Sequence, residues 1–294
     1  MPLIISIPED DTTIGLVEFR EIMKGTKVDF KNQDDLFYSA KYLNQLNNNK
    51  TFLTNFLTAE LKNIYDFQKS NVHGSSVFSI YQTDEYLLRA VVWSPVSESE
   101  KADPNFKYDV FHDHNFDLLT AGYFGPGYKT RSFIYNSDEV TGLLGEHVKM
   151  EDKGIYTLSE GKIMYYQAKK DIHNQIPPES ISVSINIIPK RNIAASPQYE
   201  FDEHAFKIAR YIQVSSNELS IRMAGLLGSE NNIEVLKAIM IKNDNPHIKA
   251  HSAISIIQIA PDLRNCVTNW VYNSKNKLLI DLFEKENVRY GSCV

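Results

Sequence analysis

Three histidines carry the chemistry this sequence suggests. His112 and His114 stand two apart in the run Phe111-His112-Asp113-His114-Asn115-Phe116-Asp117, and His173 follows far downstream, past a second apolar run. On a strand, residues i and i+2 face the same side. The two imidazoles therefore project together, about 7 Å apart along the strand at a rise of about 3.3 Å per residue. A bend or twist would bring both onto one metal ion, and His173 is the candidate third ligand. Three protein ligands on one face leave positions open for a substrate and dioxygen, as non-haem iron chemistry requires. The plainer alternative is a histidine pair on an exposed strand, and the apolar flanks argue against it.

Other side chains fall into place around these three. Asp113 alternates away from the histidines, so it faces solvent or orients an imidazole from behind. Ser184 and Asn186 alternate with Val183, Ile185 and Ile187, so they share a face that lines a pocket or meets solvent. Arg89, Arg131, Gln167 and Ser184 are candidate substrate-pocket groups, and Tyr123 and Asn186 are candidate catalytic groups. Tyr128, Tyr165 and Tyr166 read as core or pocket wall. Glu146-His147 is a rival ligand source whose plainer reading is an exposed pair. His73, His204, His247 and His251 read as surface or helix histidines. Gly125-Pro126-Gly127 reads as a tight turn.

The elements that must position these groups follow from periodicity. From Gln33 to Ser70 apolar residues recur at threes and fours, Leu36, Ala40, Leu43 and Leu46 first, then Phe52, Phe56, Leu61, Ile64 and Phe67. That spacing predicts two helices, with Thr51 capping the second. Near Val77 the period changes to two. A hairpin, Val77–Gln82 and Tyr86–Trp93, leads through a polar loop to the histidine pair. Further short strands are expected at Leu118–Phe124, Thr130–Tyr135, Gly145–Lys149, Ile155–Ser159, Lys162–Ala168 and Ile181–Ile188. Many short strands with turn signals between them read as a sandwich or barrel. From Asp202 onward a helical pattern is expected, with a last helix at about Leu278–Glu286 before an open tail. Ile221-Arg222 and Ile248-Lys249 match at a fixed offset, a weak similarity to HEAT-type helical repeats.

The bulk composition excludes some classes. The chain has 294 residues and a net charge of −6, so a general nucleic-acid binder with a basic surface is not expected. No apolar run reaches the roughly 18 residues of a membrane span. The two cysteines, Cys266 and Cys293, suit a reducing cytosol, with a bridge between them as the alternative.

The histidine pattern resembles a known family. His-x-His followed by a distant Gly…His on antiparallel strands resembles the cupin fold, a double-stranded β-helix jelly roll. Within the cupins, the spelling is most similar to the cysteine dioxygenase type, three-histidine non-haem iron oxygenases. Tyr81–Trp93 resembles the strands before that family's metal site, and Ser182-Val183-Ser184-Ile185-Asn186 the strand after its third histidine. The resemblance covers residues 76–190. It implies a β-barrel over 71–192, to which the apolar periodicity adds a mostly helical segment over 1–70, packed on it, and an α-helical domain over 198–294. It also implies an Fe(II)-dependent oxygenase that uses O2 on a small organic substrate in the cytoplasm.

Departures from the family narrow this. Leu118 and Leu119 occupy the positions where common cupins place a glutamate ligand. Asp117 or Glu146 would have to supply any fourth ligand. The family's cysteine is missing after the histidine pair, Ile188 holds the place of its late tyrosine, and its arginine is absent from the matching strand. Free cysteine is therefore not the expected substrate. Two alternatives stand beside the oxygenase. One is a metal-dependent isomerase, lyase or hydrolase with another divalent metal. The other is a ligand sensor whose C-terminal helices contact a protein partner or a second copy of the chain.

Overall fold

The computed structural model describes residues 2–8, 10–69, 76–96, 108–191, 193, 197–212 and 216–291. His73, Cys293 and most of the polar loop before the histidine pair lie outside the described residues. The chain divides into two compact units, residues 1–137 with 149–194 and residues 138–148 with 195–294.

The first unit contains β1 (Leu3–Ile5), α1 (Leu16–Ile22), α2 (Gln33–Asn48), α3 (Phe52–Leu61), β2 (Val77–Gln82), β3 (Tyr86–Trp93), β4 (His112–Asp113), β5 (Leu118–Phe124), β6 (Lys129–Ile134), β7 (Glu151–Thr157), β8 (Ile163–Tyr166), β9 (Asp171–His173) and β10 (Ser182–Pro189). One sheet runs β1-β8-β5-β10-β3-β2, and within this unit a second runs β4-β9-β6-β7. The pairings in both are antiparallel.

Alternation gives the first sheet two different faces. Leu88, Ala90, Leu119, Ala121, Ile163, Tyr165, Ile185 and Ile187 form one face, packed with Phe19 of α1, Leu36, Ala40, Leu43 and Leu46 of α2, and Phe52 and Leu53 of α3. The helical stripe and the strand alternation thus bury each other, at roughly 1.5–3 kcal/mol for each large side chain. The opposite face contributes Leu87, Leu118, Met164, Tyr166 and Ile188 to a second cluster. There they meet Tyr128, Leu158 and Tyr156 from the ends of β6 and β7. The candidate chemistry lies on this face.

Several local expectations are corrected. Residues 62–69 form turns, and Ile64 and Tyr65 are exposed, so the helical stripe stops being used at Leu61. Thr51 precedes α3 without capping it, because its hydroxyl donates to Asn49 Oδ1. The cap that forms is Asn32, which accepts from Asp34 N at the start of α2. Gly145–Lys149 is no strand and makes only an isolated bridge, His147 to Lys207. Gly125 and Gly127 do form a turn, both at φ +82°. A Cβ on Gly127 would sit 1.9 Å from the Leu158 carbonyl oxygen, so only glycine fits.

The second unit opens with a hairpin, β11 (Tyr199–Asp202) and β12 (Lys207–Tyr211), where a helix was expected. The reason is local. Asp202 Oδ1 accepts from His204 N and Ala205 N and closes a turn that a helix cannot contain. Helices follow as α4 (Ser216–Leu227), α5 (Ile233–Lys242), α6 (Pro246–Ile259), α7 (Arg264–Asn273) and α8 (Lys277–Gly291). Of these, α7 lies in the expected helical region, although no separate helix was singled out there. Ile221, Leu236, Met240, Ile248, Ile256, Val267, Val271, Leu279 and Phe283 form their shared core. His247 and His251 lie on α6, as the helix reading allowed, but are buried and not at the surface. No helix among the described residues is long and apolar enough to cross a membrane.

Candidate metal centre

The β4–β9 ladder builds the centre. His112 is the direct cross-strand partner of His173, and His173 in turn pairs with Ser132 of β6. Residues opposite one another on neighbouring strands share a face. The His112 and His173 ring centroids lie 4.8 Å apart, those of His114 and His173 4.9 Å, and those of His112 and His114 5.1 Å. One nitrogen from each ring lies within 4.8 Å of the others. Among the described residues this is the one such group of histidine, cysteine and carboxylate side chains.

Convergence is tighter than a regular strand allows. The Nε2 atoms of His112 and His114 are 3.1 Å apart. His112 Nδ1 lies 2.8 Å from the Val110 carbonyl oxygen. A carbonyl only accepts, so in the neutral ring Nδ1 holds the proton and Nε2 presents its lone pair toward His114. Burial pulls His114 and His173 well below the ordinary imidazole range. A neighbouring ring pushes each further, His173 acting on His114 and His112 acting on His173. Neutral imidazole is the form that binds metal.

The residues fit a divalent metal. With both protons on Nδ1, two neutral rings that turn Nε2 toward each other at 3.1 Å set lone pair against lone pair, a contact that an ion between them relieves. Two nitrogens held at about 2.0–2.1 Å from one ion lie roughly 3.0–3.4 Å apart, which includes the His112–His114 separation. The donor set is all imidazole. Asp117 accepts from the Tyr165 hydroxyl at 3.0 Å and Ala168 N at 2.8 Å, which ties it to the β8–β9 turn. Glu146 accepts from Thr141, Gly142 and Leu143 N within the second unit. Each carboxylate is thus committed to backbone it stabilises.

The same interior gathers part of the expected polar set. Arg89, Asn186 and Thr120 are in register across β3, β10 and β5, so they share a face. Thr120 Oγ1 donates to Asn186 Oδ1 at 2.6 Å, and Trp93 Nε1 donates to Ser184 Oγ at 2.9 Å. Burial draws the Arg89 guanidinium down to about 10, and its Nε has no partner. Its charge is felt at His114 and at Tyr128. Among the described residues no carboxylate pairs with it. The Tyr128 side chain is buried beside Tyr166 and Thr120, and burial pushes its hydroxyl up to about 12. The Tyr166 ring stands edge-on 4.3 Å from His173.

Three expected pocket groups lie elsewhere. The Tyr123 hydroxyl donates to the Asn49 carbonyl, and its ring packs on Phe52 on the helix-covered face. Arg131 donates to Asp152 at 2.8 Å at the surface. Gln167 is exposed in the β8–β9 turn and accepts from Lys170. Each is one residue out of phase with the interior or beyond a strand end. Two groups went unnoticed in the sequence, Thr120 and Gln175. The Gln175 amide nitrogen lies 3.3 Å from His173 Nε2. Alternation could have found both, Thr120 beside Leu118 and Gln175 two residues after His173.

No family model matches the chain, and no curated protein matches its sequence. Solved structures do. Hydroquinone 1,2-dioxygenase from Sphingomonas sp. TTNP3, solved with 4-hydroxybenzoate, is 8% identical over 45% of this chain and 75% of that one, at a TM-score of 0.27. The DMSP lyase DddQ from Ruegeria pomeroyi DSS-3 is 11% identical over 42% of this chain and 53% of that one, at a TM-score of 0.22. TT1209 from Thermus thermophilus is 12% identical over 44% of this chain and 96% of that one, at a TM-score of 0.24. The chain spans about half the length of the lyase it matches. With overlaps this small, the chemistry rests on the side chains themselves.

Proposed function

We propose that this chain is a cupin-type metalloenzyme whose centre is held by His112, His114 and His173. The observation that carries the reading is the convergence of three imidazoles, two of them held neutral by burial, without a carboxylate, on a buried polar face. The all-nitrogen set supports the three-histidine, cysteine dioxygenase-type reading, with Fe(II) as the metal and O2 as co-substrate. Bound iron would supply the redox chemistry that couples dioxygen to the substrate. The residues of the chain do the rest. Arg89, without an acid partner, holds an anionic group of a small organic substrate. Thr120, Asn186 and Ser184 fix its orientation. Trp93, Phe116 and Tyr166 wall the site and keep water from it. Tyr128 holds a proton at its hydroxyl.

A second reading is metal-dependent lyase or isomerase chemistry. The Tyr128–Tyr166 hydroxyl pair favours it, because such reactions move protons rather than electrons. In the second unit, Leu219, Met223, Leu226 and Leu227 lie exposed along α4, which supports a protein-contact role for these helices.

The test is anaerobic reconstitution with Fe(II), then metal analysis of wild type beside His112→Ala and His173→Ala. About one equivalent in wild type and its loss in both variants is expected. Full metal in both variants would refute the site. Oxygen uptake across a panel of small organic acids then separates oxygenase from lyase chemistry.

A further inference from the structure

A two-residue strand does not by itself bring two alternate side chains to 3.1 Å. Beyond Asp113, which pairs with Ile172, the β4–β9 register would match His114 with Asp171. It does not. The His114 carbonyl accepts instead from Lys169 N at 2.8 Å, while Asp171 pairs with Ile134 and gives its own N–H to Gln167. The chain therefore leaves the ladder at His114, at the point where the imidazoles converge.

Lys169 also holds the other side of this bend. Its Nζ donates to Asp113 Oδ2 at 2.9 Å, and the Tyr135 hydroxyl donates to the same oxygen at 2.6 Å. Asp113 is fully buried and Lys169 nearly so. By alternation, Asp113 lies on the face opposite the two imidazoles. Lys169 has φ +55°, a left-handed conformation that lysine rarely adopts. That conformation lets one residue offer both its N–H and its ammonium to consecutive residues of the histidine segment.

We propose that Lys169, bonded to the carbonyl of His114 and the carboxylate of Asp113, is a positioning residue that sets the bend bringing His112 and His114 onto one centre. The proposal rests on the three-histidine reading and adds the device that shapes it. A buried ion pair is a poor source of stability but a good source of geometry.

The test uses the full chain and Co(II) alone as probe. Lys169→Met removes the ammonium and leaves the backbone N–H. Asp113→Asn/Lys169→Met removes both charges together, which restores the melting temperature of the metal-free protein toward wild type. Both variants should bind Co(II) at least tenfold more weakly, as loss of groups behind metal ligands does. The visible Co(II) spectrum should change as well. Recovery of stability without recovery of affinity separates positioning from a purely structural role. Wild-type affinity and spectrum in both variants would overturn the proposal. A second readout needs no metal: the imidazole ¹⁵N shifts of His112 and His114 in the metal-free protein should move in both variants, and unchanged shifts would overturn it equally. Failure of wild type to bind Co(II) would instead sink the three-histidine reading.

Discussion

His112 and His173 face each other directly across the β4–β9 ladder, with ring centroids 4.8 Å apart. The ladder fixes that relation, whereas His114 reaches the centre only because the chain bends after Asp113. Side-chain removal should therefore separate ligands from neighbours. His112→Ala and His173→Ala should lose the metal. Asp117→Asn and Glu146→Gln should keep it, and each should cost about 1–3 kcal/mol through weakened bonds to backbone N–H groups. Metal content and denaturant melts of the four variants check this together.

Arg89 gives the second prediction. A buried guanidinium with an unpartnered Nε is costly to the free protein, so Arg89→Met should stabilise it by about 1–2 kcal/mol. The same change should weaken a carboxylate probe such as benzoate by tenfold or more, since charge-assisted bonds are lost. Thermal melts and calorimetric titration read the two effects. A variant that is less stable and binds benzoate as wild type does would remove Arg89 from the substrate site.

How much of this was legible beforehand differs by element. Leu36, Ala40, Leu43 and Leu46 were readable because one helix buries one stripe. The three histidines were readable because strand alternation and an apolar flank leave few other roles. Tyr123 misled because it lies on the first sheet's other face. The sequence shows alternation, but not which of two buried faces holds the chemistry. Lys207–Tyr211 misled because Ala205, Ile208, Ala209 and Ile212 fit a helical spacing, and only the Asp202 turn decides. The Lys169–Asp113 bond was invisible, since no local pattern marks a lysine bound for left-handed backbone.

A third prediction concerns acid. His114 and His173 titrate below their unfolded value of about 6.5, so the unfolded chain binds more protons in that window. Stability of the metal-free protein should be intact above about pH 6.5 and fall as pH drops toward the folded values. The limiting slope is roughly 1.4 kcal/mol per pH unit for each ring. His173→Gln should flatten the fall by about one ring's share. Urea melts from pH 7.5 to 5 measure it, and a pH-independent midpoint would show that neither ring is held neutral.

The hydroxyl pair beside His173 supplies the last prediction. Burial holds the Tyr128 O–H up to about 12, so at neutral pH it can give a proton but is not a base. Thr120 donates its own proton to Asn186 at 2.6 Å on the same face. Beside the phenol lies Tyr166, whose hydroxyl donates to Met164 Sδ at 3.8 Å and whose ring lies against His173. Tyr128→Phe removes this buried hydroxyl and should cost about 1–2 kcal/mol of stability. If proton delivery limits turnover, kcat should fall roughly 10²–10⁴-fold with KM little changed. Tyr166→Phe should reproduce part of that loss, because it removes the neighbouring hydroxyl. In an oxygenase whose slow step is not proton transfer, both variants should keep their rate of oxygen uptake and lose only stability. Steady-state rates of oxygen uptake and of product formation, in water and in deuterium oxide, distinguish the two chemistries on the same pair of proteins.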